Sequence, residues 1–418
     1  MADFIPQASC ADAHEAQSLS VQQAKQRISK LVTPINSWRK QALREALGLI
    51  LDQEIISPID VPPHNNSAMD GYAVHGDDLS DGITVKQVGV AFAGQPFNGS
   101  IRRGECIRIM TGAMMPVDCN TVVMQEHVEV NGEQITLHGK HTAKQNVRYR
   151  GEDLKIGEIV LEKGHQIMPA DLGLIASLGI AEVKVKRKIR VAFFSTGDEL
   201  RSLGESLEQG QIYDSNRYTL YGMLKRLDVD IIDMGVIADN KDDLRQALLL
   251  ASEQADVVLT SGGVSVGDAD YVKEMLAELG QVDFWKLAMK PGRPLAFGKI
   301  NNALFFGLPG NPVSVMVTFY QFVTEALQQL SGLAKQPQHH LQVNCVSPIR
   351  KRAGRFEFQR GILFTDEQGQ AQVKITGEQG SGILRSMSIA NCFILLEEAC
   401  DGVEPNTIVT VQPFSGLI

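Results

Sequence analysis

The 418-residue chain is poor in cysteine, with six residues (Cys10, Cys106, Cys119, Cys345, Cys392 and Cys400) and no CxxC spacing among them. That argues against a thiolate zinc site or a disulfide framework and leaves reduced thiols. Long apolar runs are also missing. Nowhere do about 18 apolar residues follow one another, so no membrane-spanning helix is expected. Positive charge is not in excess either: 40 Lys and Arg face 49 Asp and Glu, a net charge of −9. A broad basic surface for nucleic acid is therefore not expected. The opening "MADFIPQASCADAHEAQ" has neither the basic start nor the apolar run of an export signal. These gaps point to a cytoplasmic protein with no nucleic-acid and no membrane partner.

What is present is the composition of a globular protein, 44% hydrophobic and 21% charged, over a length that calls for two to four domains. "SVQQAKQRISKLV" (20–32) reads as a helix. Ser37 reads as the N-cap of a second, "WRKQALREALGLIL", with Leu43, Ala46, Leu47 and Ile50 on one face. Residues 62–153 read as a β-rich domain, with Asn131-Gly132 as a hairpin turn. "MPADLGLIASLGI" (168–180) returns to helix. Strands such as "IRVAFFS" and "ADVVLTS" then alternate with helices up to the long "PVSVMVTFYQFVTEALQQL". This alternation predicts a doubly wound, mostly parallel α/β domain over 187–332. After the linker "AKQPQHH", residues 338–418 read as a small antiparallel β domain. The fold class expected is thus α/β multidomain, with an inserted β-rich domain and a C-terminal barrel-like domain.

In such a sheet, ligands lie at the carboxyl ends of the strands. "TSGGVSVGDADY" (260–271) ends one strand. Gly262 and Gly263 allow close approach of a ligand, Ser265 adds a hydroxyl, and the next helix start suits an anion. Asp268 is accounted for as an N-cap; Asp270 is not, and a carboxylate beside a phosphate implies magnesium between them. Glu199, in "FSTGDEL", and Asp239 end neighbouring strands, and clustered acids call for a cation or a proton. "KLAMKPGRPLAFG" gathers Lys286, Lys290 and Arg293 around a turn, a set suited to an oxyanion. "GLPGNPVS" places Asn311 as N-cap and Pro312 at the first helical position, and with Pro309 they are candidate substrate-binding residues. A complete structural account of that segment stands beside a second anion site.

"NNSAMDGYAV", "IRIMTGA", "RGED", "FSTGDEL", "TSGGVSVGDADY", "KPGRP" and "GLPGNPVS" together, in this order, resemble the MoeA family of molybdopterin molybdenumtransferases. The chain is similar in the same way to the E domain of gephyrin. The resemblance implies insertion of molybdate, as co-substrate, into adenylylated molybdopterin with magnesium, giving molybdenum cofactor and AMP. By motif match it implies functional roles for Asp70, Thr111, Asp153, Glu199, Asp239 and Asp270. Asp239 and Asp270 suit the metal; Lys290, Arg293 and Arg360 suit molybdate. It further implies a homodimer, and on that dimer rests the expectation that Asp70 reaches the partner's site; docking with other cofactor-synthesis proteins is left open by the sequence. The first domain would comprise 18–61 and 154–186, with 62–153 inserted. His64-Asn65-Asn66 before Ser67, and Arg293 where lysine is common, depart from the family pattern. A sister adenylyltransferase sharing the central sheet, and a non-catalytic molybdopterin-binding scaffold, are the competing readings.

Overall fold

The computed structural model describes residues 18–263, 275, 276, 278–335 and 337–414. Trp38–Val185 makes one unit; the described residues before and after it make the other.

In the larger unit six strands lie in the order Asp230–Ile237, Arg190–Thr196, Val257–Ser261, Ala303–Leu308, Pro294–Ile300, Gly280–Lys286. The first four run parallel and the last two add as an antiparallel hairpin. That hairpin lies where the sequence suggested only a basic turn. Every residue of Val257–Ser261 and Ala303–Leu308 is buried, as central strands covered on both faces must be. Successive residues alternate between faces. Phe193, Leu259 and Phe306 pack with Leu220 and Leu224 of the Ser215–Arg226 helix. Phe194, Val258 and Phe305 pack with Leu244 and Leu248 of Lys241–Gln254. The Val21–Leu31 helix, started by a Ser20–Gln23 capping box, adds Ala24 and Ile28 to the first of these cores. The long helix expected after Asn311 runs Pro312–Thr318, one π turn Phe319–Val323, then Thr324–Ser331.

Beyond it the chain closes a five-stranded barrel. Phe356–Thr365 pairs with both Ala371–Ile375 and Cys392–Leu396, and Leu341–Cys345 and Thr407–Pro413 complete the circle. Val343, Val373, Ile394 and Val411 fill it. The two-residue strand Met289–Lys290 leaves the α/β part to pair in parallel with Phe356–Glu357.

The smaller unit holds a curled six-stranded sheet, ordered Thr121–Met124, Gly71–Val74, Glu105–Ile109, Thr84–Ala91, Gln134–Leu137, Val128–Asn131. The last pair forms the hairpin expected at Asn131-Gly132. The helix expected after Ser37 does not form. Trp38–Ala42 is a strand paired with Glu182–Lys186, and Leu43–Glu45 is a single 3-10 turn. Gly48 sits at φ 79, a left-handed conformation incompatible with a continuing helix. The apolar spacing serves a different core, in which Ala46, Leu49 and Leu51 meet Ile167, Ile175 and Val183.

Cys106 and Cys119 are buried in the smaller unit and Cys345 and Cys392 in the barrel. Burial pushes the thiols of Cys106, Cys119 and Cys392 up to about 12.

Candidate functional site

Two central strands of the larger unit end in hydroxyls: Ser195-Thr196 on one and Thr260-Ser261 on the other, all buried. From these ends the chain turns into a cleft of about 920 Å³. Gly262 starts one such turn at φ 91, and a Cβ there would lie 2.4 Å from the Thr196 carbonyl oxygen. Only glycine fits. Gly262 and Gly263 both line the cleft, as do Glu199 and Asp239 from the neighbouring strand ends.

Asp239 is not a helix cap. That task falls to Asn240, whose side chain accepts from the Asp243 amide at 3.0 Å. Burial raises the pKa of Asp239, and the charges of Asp198 and Glu199 raise it further against an opposing hydrogen bond from Thr196. The acid cluster expected from sequence is therefore present at Asp198, Glu199 and Asp239. Asp270, its fourth member, and Ser265 lie outside the described residues.

Basic residues enter the same cleft from the hairpin loop. Lys290 and Arg293 line it, with Arg355 from the barrel. Pairing of Met289–Lys290 with the barrel strand sets Lys290 Nζ 3.4 Å from the buried Glu357 carboxylate. Pro309, Asn311 and Pro312 line it too. Asn311 stands at the N-cap position but makes no side-chain capping bond, which leaves its amide unengaged with the helix.

Other candidates are placed elsewhere. Lys286 ends the hairpin strand, exposed, its carbonyl accepting from the Leu19 amide at 2.8 Å, and it does not line the cleft. Arg360, expected at the oxyanion, is 1% exposed beneath the wall. Its guanidinium donates to Ser386 Oγ and to the Gly380 carbonyl. Burial lowers its pKa to about 10, against the attraction of Glu357. Its backbone exchanges hydrogen bonds with the Gln379 side chain, so Arg360 holds Gln379-Gly380, which do line the cleft. Asp70 and Thr111 come together in the smaller unit: Asp70 Oδ1 accepts from the Thr111 amide at 2.7 Å and hydroxyl at 2.8 Å. Those two bonds hold the Asp70 pKa below the usual carboxylate range. Asp153 lies in an exposed loop of that unit, its amide bonded to the Val61 carbonyl. Arg150, one of its sequence neighbours, pairs with Asp60 at 2.6 Å.

No motif marks Arg355 or Gln379–Ser381, which line the cleft, nor Asn216, whose side chain bonds Ser261 and Gly310. The first four are brought in by the barrel, with no local signal. Asn216 had one, a polar "DSN" at a helix start.

Comparison with known proteins places this architecture. Residues 19–179 match the MoeA N-terminal region (domain I and II) and 342–414 the MoeA C-terminal region (domain IV). Residues 192–329 match the "Probable molybdopterin binding domain". The chain is 47% identical to the molybdopterin molybdenumtransferase of Haemophilus influenzae, over 90% of this chain and 94% of that protein. It is 34% identical to Dictyostelium discoideum gephyrin, over 90% of this chain and 59% of that one. The crystal structure of the molybdopterin biosynthesis moeA protein from Pyrococcus horikoshii superposes with a TM-score of 0.83 at 28% identity, covering 95% of this chain and 100% of that one. The chain belongs to the MoeA family of molybdopterin molybdenumtransferases, transferases of molybdenum cofactor biosynthesis.

Proposed function

We propose that the cleft takes adenylylated molybdopterin and molybdate and, with magnesium, releases molybdenum cofactor and AMP. One observation carries this reading: a glycine turn, a carboxylate cluster and a basic turn converge on a single cleft. Gly262-Gly263 would let a phosphate approach the backbone. Lys290 and Arg293 would hold the second oxyanion, the guanidinium through a planar fork.

The residues fit magnesium. Among the described residues no three His, Cys, Asp or Glu side chains could hold a metal ion alone. Magnesium needs fewer, since it keeps waters and takes one or two carboxylates plus substrate phosphates. Asp239, with Asp270 as its expected companion, would supply them. Its ionised form is already disfavoured by burial and by Asp198 and Glu199, a repulsion that a divalent cation relieves. Bound there, magnesium would neutralise charge on the phosphates. Asp70, Thr111 and Asp153 take part in this reading through a homodimer, and Arg360 through the wall it supports.

The test is AMP release by purified protein supplied with adenylylated molybdopterin, molybdate and magnesium. Release should stop on chelation and return with added magnesium; release undiminished by chelator overturns the metal. Arg293→Lys should shift the molybdate concentration dependence alone, and an unchanged dependence removes Arg293 from that role. An adenylyltransferase would instead consume ATP, and a scaffold would bind the pterin without turnover.

A further inference from the structure

We infer that Asn216 is a positioning residue whose amide ties the glycine turn after Ser261 to the turn at Gly310, setting the spacing of two walls of the cleft. It sits in the first turn of the Ser215–Arg226 helix, behind the N-cap Asp214. Its Nδ2 donates to Ser261 Oγ at 2.8 Å and to the Gly310 carbonyl at 2.7 Å. Ser261 is the last residue of its strand, directly before Gly262-Gly263, and Gly310 directly precedes Asn311. Register between the two strands ends at Ser261↔Leu308, with one further backbone bond from the Gly262 amide to the Leu308 carbonyl. Beyond that point the chains part, and the Asn216 amide spans them.

The residue type follows from the donors required. A carbonyl oxygen only accepts, so the atom facing Gly310 must be nitrogen. A primary amide carries two N–H groups for two acceptors, whereas a carboxylate carries none and a hydroxyl one. The amide oxygen is buried with no partner among the described residues, a standing cost that an apolar side chain would not carry. Asn216 does not itself line the cleft, so it acts through the turns it holds.

The inference rests on reading the cleft as the pterin site. Equilibrium binding of molybdopterin, molybdate dependence of turnover and thermal melting should be measured for the parent, Asn216→Ala and Asn216→Asp. Both variants should bind molybdopterin about tenfold more weakly, or about 1.4 kcal/mol. The molybdate KM should stay within about twofold of parent and melting within a few degrees. Molybdopterin affinity equal to parent overturns the role of Asn216. So does a fall in affinity and melting together with a rise in molybdate KM, which marks a merely structural residue. Asn216→Asp, matched in shape, decides the matter if the alanine variant does not fold, and its own failure to fold overturns the inference. A parent protein unable to bind molybdopterin would instead sink the reading of the cleft.

Discussion

Asp239 carries a charge that its surroundings oppose. Its folded pKa is raised, first by burial and then by Asp198 and Glu199. The proton-bound form is therefore the one the fold favours. The associated stability is full below the unfolded pKa and lost as pH rises through the folded one. The ionised carboxylate is then a burden on the fold, which the proposed magnesium role would account for. Asp239→Asn should accordingly melt at or slightly above the parent at pH 7.5 while turnover falls at least about tenfold. Calorimetry beside the AMP assay checks both halves, and a variant that melts far below the parent makes Asp239 a structural residue. Asp70 is the opposite case, held ionised by two hydrogen bonds from Thr111. Two aspartates that look alike in sequence thus differ because donors dominate at one, while burial and then like charge dominate at the other.

At the level of elements, the turn after Ser261 admits no side chain at Gly262. In Gly262→Ala the new Cβ would meet a backbone oxygen, which cannot swing aside, at φ 91. The strain is ~1–3 kcal/mol before any shift of the strand end. Melting should fall by several degrees and pterin binding should drop with it; an alanine variant with parental affinity would remove the turn from the site. The sequence made this turn visible, along with the strand-to-helix alternation, because glycine pairs and short continuous apolar runs are local signals. It did not reveal Trp38–Ala42, whose helical apolar spacing is overridden by pairing with Glu182–Lys186, far along the chain. The Gly280–Lys286 and Pro294–Ile300 hairpin was hidden likewise, under a basic loop that looked complete in itself. Motifs pointed to Lys290 and Arg293 in one turn and to Asp239 at a strand end, and all three line the one cleft. They could not show that Arg360 is buried behind the wall, since burial depends on how the barrel closes.

For the whole molecule, the homodimer proposal assigns Asp70 and Asp239 of different subunits to each site. Asp70→Asn and Asp239→Asn subunits, mixed after dissociation, then give hybrids with one intact and one doubly altered site. Random pairing makes half the dimers hybrid, so activity should recover to about a quarter of parent. If both residues serve one chain's site, every site keeps a lesion and nothing recovers. The buried cysteines carry a further consequence. Thiol reagents attack the thiolate, and a thiol that ionises near 12 is almost wholly protonated at neutral pH. Modification must then wait for the surrounding structure to open, and the thiols become a clock for local unfolding. Cys106 and Cys119 time the smaller unit, and Cys345 and Cys392 time the barrel. Labelling in rising urea, assigned by mass spectrometry of peptides, should resolve the two pairs at different concentrations. If all four react together, the chain opens as one cooperative body.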